Sequence, residues 1–188
     1  MATPVVRHLT TEELEAGLPE IARSPAAEGT VELIVRRPAE GEREVLTEGS
    51  LDLVEGLVGD GWLRRGSRRR PDGSANPNAQ ITVMNARAVD LVAAGDRDRW
   101  QLAGDQLYVD FDITAANVPA GTRLALGSAV LEVTAEPHTG CAKFVARFGH
   151  PAHRFVNARA HRDLRLRGLN ARVVVPGVVR AGDTIRKL

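Results

Sequence analysis

The segment Ala129-Val130-Leu131-Glu132-Val133-Thr134-Ala135-Glu136-Pro137-His138-Thr139-Gly140-Cys141-Ala142-Lys143-Phe144 passes from a strand through a loop into a helix. Aliphatic and β-branched residues fill its first half, and Pro137, which has no N–H to donate, bars continuation of a ladder. Thr139 is a residue type that caps helices, Phe144 and Phe148 share one helical face, and Gly149 with Pro151 supplies a stop. This pattern predicts a short helix with Cys141 in its first turn. Unpaired N–H groups and the helix dipole favour an anion there, and Lys143 and Arg147 add positive charge, so the thiolate is favoured. A thiolate attacks, carries sulfur or binds a soft metal, whereas a packed cysteine behaves as a small hydrophobe. The local sequence leaves both readings open. It also predicts that Phe144, Phe148, Leu131 and Val133 pack together beneath the loop.

Outward from this segment the chain reads as many short strands. Val31 to Val35 is one, and Leu107, Val109 and Phe111 alternate with Tyr108, Asp110 and Asp112 as a half-buried second. Arg123 to Thr134 reads as two strands around Gly127-Ser128, and Arg172 to Arg180 as a hairpin turning at Pro176-Gly177. Helices are few and short: Thr10-Thr11-Glu12-Glu13-Leu14 is a capping box closed by Gly17, Ser50 to Val58 reads as a helix ending at Gly59, and Arg87 to Ala94 as another. The expected fold is mostly β with short helices (α+β), closing into a β-barrel. Residues 1–79 are expected to form an N-terminal extension with short helices, a strand and an Arg-rich loop, packed onto a core of residues 80–188 as one structural domain.

The chain has 188 residues, 43% of them hydrophobic, enough to bury a core. Its start, Met1-Ala2-Thr3-Pro4-Val5, lacks the apolar run of a signal peptide, and no stretch approaches membrane-spanning length. The single cysteine allows no internal disulfide, which fits a reducing compartment, so a cytoplasmic location is expected.

A net charge of +1 conceals an asymmetry. Residues 1–140 hold 14 Lys+Arg and 22 Asp+Glu, whereas residues 141–188 hold 11 and 2. The positive charge begins at the cysteine and would draw a small anionic ligand or cofactor. The run Arg64-Arg65-Gly66-Ser67-Arg68-Arg69-Arg70 could hold phosphates, yet no aromatic residues interleave it, so nucleic acid is not the expected partner. These arginines are expected in a solvated loop, with Arg68 mobile, or else reaching the ligand of the barrel. Asp110 and Asp112 share a face without a third hard ligand, and His150, His153 and His161 lack the spacing of a zinc site. A Gly-x-Ser-x-Gly elbow, a Walker loop and a dinucleotide fingerprint are all absent.

Five stretches in order carry a family resemblance: Gln80-Ile81-Thr82-Val83-Met84-Asn85, Ala103-Gly104-Asp105-Gln106-Leu107, Leu131 to Cys141, Arg167-Gly168-Leu169-Asn170-Ala171-Arg172-Val173, and Pro176-Gly177-Val178-Val179 through Gly182-Asp183. Together they resemble a MOSC domain, named for the C-terminal part of molybdenum cofactor sulfurase. The resemblance implies a compact barrel and a cysteine, here Cys141, that carries persulfide sulfur or ligates molybdenum. It further implies a molybdopterin-type or other anionic acceptor held by Gln80, Asn85, Gln106, His138, Thr139, Lys143 and Arg147. The same resemblance allows a molybdenum-dependent reductase of N-hydroxylated compounds, and the residues alone also allow a non-catalytic binding module with a structural cysteine. Two positions depart from the family pattern: Gly140 where many members have proline, and Gln106 where they have asparagine. No counterpart of the pyridoxal-phosphate desulfurase half is present, so that cofactor is not expected on this chain, and either a sulfur donor protein or a preformed cofactor would have to come from elsewhere. Oligomeric state is left open.

Overall fold

A computed structural model describes residues 6–68 and 70–188; Met1 to Val5 and Arg69 lie outside the described residues. Eleven strands follow in order: β1 (Glu28–Arg36), β2 (Glu44–Leu46), β3 (Glu48–Asp52), β4 (Gly56–Leu57), β5 (Ile81–Asn85), β6 (Leu107–Asp110), β7 (Arg123–Leu126), β8 (Ala129–Val133), β9 (Leu169–Val175), β10 (Gly177–Arg180) and β11 (Thr184–Lys187). Five α-helices interrupt them: α1 (Thr11–Ala16), α2 (Leu18–Ile21), α3 (Trp62–Arg65), α4 (Ala86–Val92) and α5 (Ala142–Asn157). Strands β11, β7, β8, β9, β5, β6 and β1 pair in that order, and β1 pairs back onto β11, so seven strands close into a barrel. Among the described residues only the β5–β6 pair is parallel, and α4 lies in the crossover between them. The barrel cannot close without β1, which comes from the N-terminal part of the chain.

The two-residue period of the strands sorts their side chains between two cores. Val31, Ile34, Val83, Leu107, Val109, Leu131 and Val133 fill the barrel interior. Their neighbours Val35, Met84 and Tyr108 point outward and are buried instead by Leu14, Val89, Phe144 and Phe148 from the helices. Strand β6 is therefore not half-buried as its alternation suggests: Tyr108 is as inaccessible as Leu107 and Val109. The same division corrects the expected packing of Phe144 and Phe148 on Leu131 and Val133, since the phenylalanines lie outside the barrel wall and the aliphatic pair inside it.

Two further expectations give way. Ser50 to Val58 forms two strands around a turn rather than a helix, because β3 and β4 pair with each other and β3 with β10, contributing Leu51, Leu57 and Val179 to the interior. The Arg172 to Arg180 stretch turns at Pro176, but its arms part: β9 pairs with β5 and β8, while β10 joins β3. Long-range pairing overrides a local turn signal in both cases. The capping box at Thr10 and Glu13 and the β7–β8 hairpin stand as read.

Gly149 is the helix stop that its sequence suggests, and it divides α5 into two helical segments across a kink. Its φ of 84° belongs to the left-handed region that glycine adopts without strain. The chain resumes helical geometry and runs on to Asn157.

Phe148 is fully buried and its ring lies 4.8 Å from that of Phe144. Phe148→Ala is expected to lower the unfolding free energy by roughly 3 to 5 kcal/mol, read from the denaturant midpoint; an unchanged midpoint would refute the packing.

Candidate functional site

Cys141 is exposed and is itself the N-cap of α5, one position before the turn in which it was expected, and its side chain makes no capping hydrogen bond. Thr139 does not cap the helix; it lines the cleft onto which the thiol opens. This cleft measures about 900 Å³ and adjoins a smaller lobe of about 550 Å³, with Arg37, Arg65, Arg68, His138, Thr139 and Cys141 shared by both. The larger lobe adds Arg43, Arg64, Lys143, Arg147 and Arg167, and Glu40 is the one carboxylate among its lining residues. Glu40 pairs with Lys143, and that pairing holds its carboxyl below the usual range. The smaller lobe adds neutral polar groups, among them Asn76, Thr82 and Asn170, together with Glu136. Arg68, exposed in the loop after α3, is among the residues lining the cleft, which meets the alternative that the arginine run reaches the ligand site.

Arg37, Arg147 and Arg167 are held by hydrogen bonds to the cleft wall. Arg37 donates from Nε and Nη2 to Asp60 at 2.9 and 3.0 Å, and from Nη1 to the Gly104 carbonyl at 2.6 Å. Arg147 donates to the Leu102 carbonyl at 2.7 Å. At the floor, Asp105 is wholly buried and accepts from Arg167 Nη1 at 2.5 Å and from His138 Nε2 at 2.7 Å. Burial opposes ionisation of Asp105, but the Arg167 cation and the hydrogen bonds overcome it, so its carboxyl stays far below the usual range. His138 is pushed the other way from an ordinary attraction: burial, then the Arg167 charge, outweigh Asp105, and its pKa falls. A neutral His138 that donates from Nε2 keeps Nδ1 as an unprotonated acceptor.

Gln80, Asn85 and Gln106 have a different role from the ligand-binding one that the resemblance implied. Asn85 caps α4, accepting from the Ala88 N–H at 3.0 Å and donating to Ser24 and Phe111 at 2.8 and 2.9 Å. Gln106 accepts from the Thr82 N–H and hydroxyl at 2.8 and 2.6 Å and donates to the Gln80 carbonyl at 3.1 Å. Gln80 donates to the Leu53 carbonyl at 2.9 Å and accepts from the Val173 N–H at 2.8 Å. All three amides are buried and serve the barrel wall; of the stretch from Gln80 to Asn85, Thr82 alone is among the lining residues of the cleft. His138, Thr139, Lys143 and Arg147 are brought to Cys141, as expected. Sequence reasoning missed Arg37 and Arg167. Arg167 and its partner Asp105 stand inside two of the family stretches, while nothing local marks Arg37.

The donor set limits what the cleft can hold. Among the described residues no three His, Cys, Asp or Glu side chains gather as a metal cage, so neither the histidines nor Asp110 and Asp112 form one. Asp110 pairs with Arg87 at 2.7 Å, and Asp112 accepts from the Thr114 N–H at 2.9 Å. A metal would have to arrive carrying ligands of its own, and one soft sulfur amid many cations fits an anionic metal–cofactor complex. Arg167 Nε, buried without a partner, leaves a donor at the floor of the same cleft.

The His138 environment fixes a pH dependence. Its folded pKa lies below the ordinary value of about 6.5, so below that pH the unfolded chain takes up a proton that the folded chain refuses, and stability falls. Asp105, also depressed, adds a further loss as pH falls from about 3.9. His138→Gln is therefore expected to narrow the stability difference between pH 7.5 and 5.5, measured by urea unfolding; an unaltered difference would refute the buried neutral imidazole.

A family model for the MOSC domain matches residues 70–186. Among solved structures, the YuaD protein from Bacillus subtilis is similar over 84% of this chain and 94% of its own, with 19% identity and a TM-score of 0.58. YiiM from Escherichia coli is similar over 85% of this chain and 69% of its own, at 19% identity and a TM-score of 0.53. YiiM from Geobacillus stearothermophilus covers 87% and 73%, at 11% identity and 0.51. At these identities the likeness is one of fold, and no curated protein matches the chain in sequence. With more than half the chain matched and a seven-stranded barrel carrying its cysteine at the mouth of a cationic cleft, the protein belongs to the MOSC domain family.

Proposed function

We propose that this MOSC domain is a sulfur carrier in which Cys141 holds a persulfide beside an anionic, molybdopterin-type acceptor. The observation that carries the reading is the exposure of the only thiol at a cleft walled by arginines. A cysteine kept for packing would be buried, and this one is not. Arg37, Arg65, Arg68 and Arg147 would hold phosphate or carboxylate groups, with Arg37 already oriented by Asp60 so that little freedom is lost on binding. A bound molybdenum–pterin cofactor would supply a redox-active, sulfur-accepting metal centre.

Loading begins with the Cys141 thiolate attacking the outer sulfur of a donor persulfide. The new Sγ–S bond forms as the donor S–S bond breaks, and the donor leaves as a thiolate. In delivery a nucleophilic acceptor attacks that outer sulfur, the Sγ–S bond breaks, and its electron pair returns to Cys141. His138, held by Asp105, stays neutral and presents Nδ1 as a hydrogen-bond acceptor rather than as a base. The surrounding cations stabilise the charge on sulfur throughout.

Incubation with a persulfide donor is expected to add the mass of one sulfur atom to the native chain and none to Cys141→Ser, read by intact mass spectrometry. No gain on the native chain would overturn the reading. Reversal of a cation in the cleft, Arg68→Glu or Lys143→Glu, should weaken pyrophosphate binding by at least about tenfold, and Arg186→Glu, on exposed β11, far less. Equal losses at all three would show that long-range charge governs binding.

A further inference from the structure

Residues 140 and 157 stand seventeen apart in the chain, and on an unbroken helix the rise of about 1.5 Å per residue would separate them by roughly 26 Å. In this fold they touch. The bend at Gly149 turns the second half of α5 back toward the start of the first. Asn157 Oδ1 accepts from the Gly140 N–H at 2.9 Å, and Asn157 Nδ2 donates to the Gly140 carbonyl at 3.3 Å. His153 Nε2 bonds the same carbonyl at 3.1 Å. Both polar groups of residue 140, the one before the cysteine, are thereby held by the far end of the helix that the cysteine begins.

The approach at 140 is tight, and a side chain there would require its neighbours to give by a few tenths of an ångström. A Cβ there would stand 3.0 Å from Asn157 Nδ2, 3.3 Å from the His153 ring and 3.4 Å from Val156. Proline, the residue common at this position in the family, would in addition have no N–H for Asn157. Gly140 and its two partners thus form one device, and its effect falls on the next residue, Cys141, whose side chain has no capping bond of its own.

We propose that His153 and Asn157 are positioning residues for Cys141: by clamping the Gly140 peptide they hold the thiol against the cationic cleft. The proposal rests on Cys141 being the reacting group. Asn157 is exposed, so its removal opens no cavity in the core, and the clamp governs where the sulfur stands rather than whether the chain folds.

The test compares alkylation of the full-length protein at pH 8 by iodoacetate, an anion, and iodoacetamide, its neutral analogue. The ratio of the two rates reports the field at the sulfur, which a merely structural role would leave alone. In the native protein this ratio should exceed that of glutathione by about tenfold. Asn157→Ala should lower it at least about threefold with the melting temperature nearly unchanged, His153→Ala should lower it less, and His153→Gln, which keeps a donor, should stay near the native value. A native ratio retained in Asn157→Ala overturns the clamp; should that variant not fold, a native ratio in His153→Ala overturns it equally. A native protein no different from glutathione overturns both the clamp and the cationic reading of the cleft. Failure of persulfide loading with all the expected ratios intact overturns only the sulfur-carrier reading.

Discussion

Asp105 is a carboxylate with no access to water, and an isolated charge in that position would cost far more than the fold can spare. It is tolerated because Arg167 and His138 meet its two oxygens from separate directions. Those partners come from elements distant in sequence: Asp105 precedes β6, His138 lies in the loop after β8, and Arg167 precedes β9. One buried anion therefore ties the loop that carries the cysteine to the barrel wall. The same anion keeps Arg167 anchored at the floor of the cleft and sets the tautomer of His138. Removing either partner would strand a buried charge, which makes the arrangement specific as well as stable.

A second buried pair works in the same way beside it, where Arg37 also donates to the carbonyl of Gly104, the residue before Asp105. Asp60 receives both arms of Arg37 as well as the backbone N–H groups of Arg37 and Trp62. A free arginine side chain loses rotamer entropy when it grips an anion, but Arg37 has already lost it in folding. The cleft accordingly presents cations fixed by buried partners near its floor and an exposed one, Lys143, paired with Glu40. Such an arrangement combines attraction at a distance with a defined geometry at contact.

Much of the barrel was legible in the chain. Period-two alternation located β1, β6, β7 and β8, and the capping signals located α1, because side-chain period and turn chemistry are local properties. The failures share one cause. Ser50 to Val58 became strand because β10, distant in sequence, offered it hydrogen bonds, and the Arg172 to Arg180 arms separated because each found a partner elsewhere. Tyr108 was read as outward-facing, and it is, but α4 and α5 cover that outer face. Gly149 carried the sign of a helix end and does interrupt the helix, but that a second helical segment follows it at once depends on what that segment packs against.

The sequence by itself determined the barrel class, the family, the lone thiol and the positive charge of the segment that follows it, since composition and order are enough to define all four. It also marked His138, Thr139, Lys143 and Arg147, which lie within a few residues of Cys141. Tertiary structure alone decided that Gln80, Asn85 and Gln106 serve the wall rather than the ligand, because an amide can bind either and only its buried surroundings settle which. It alone brought Arg37 and Arg68 to the cysteine, and Asn157 to Gly140. Contacts of this kind depend on how far the chain turns back on itself, and a linear order of residues carries no distance between them until the strands have closed.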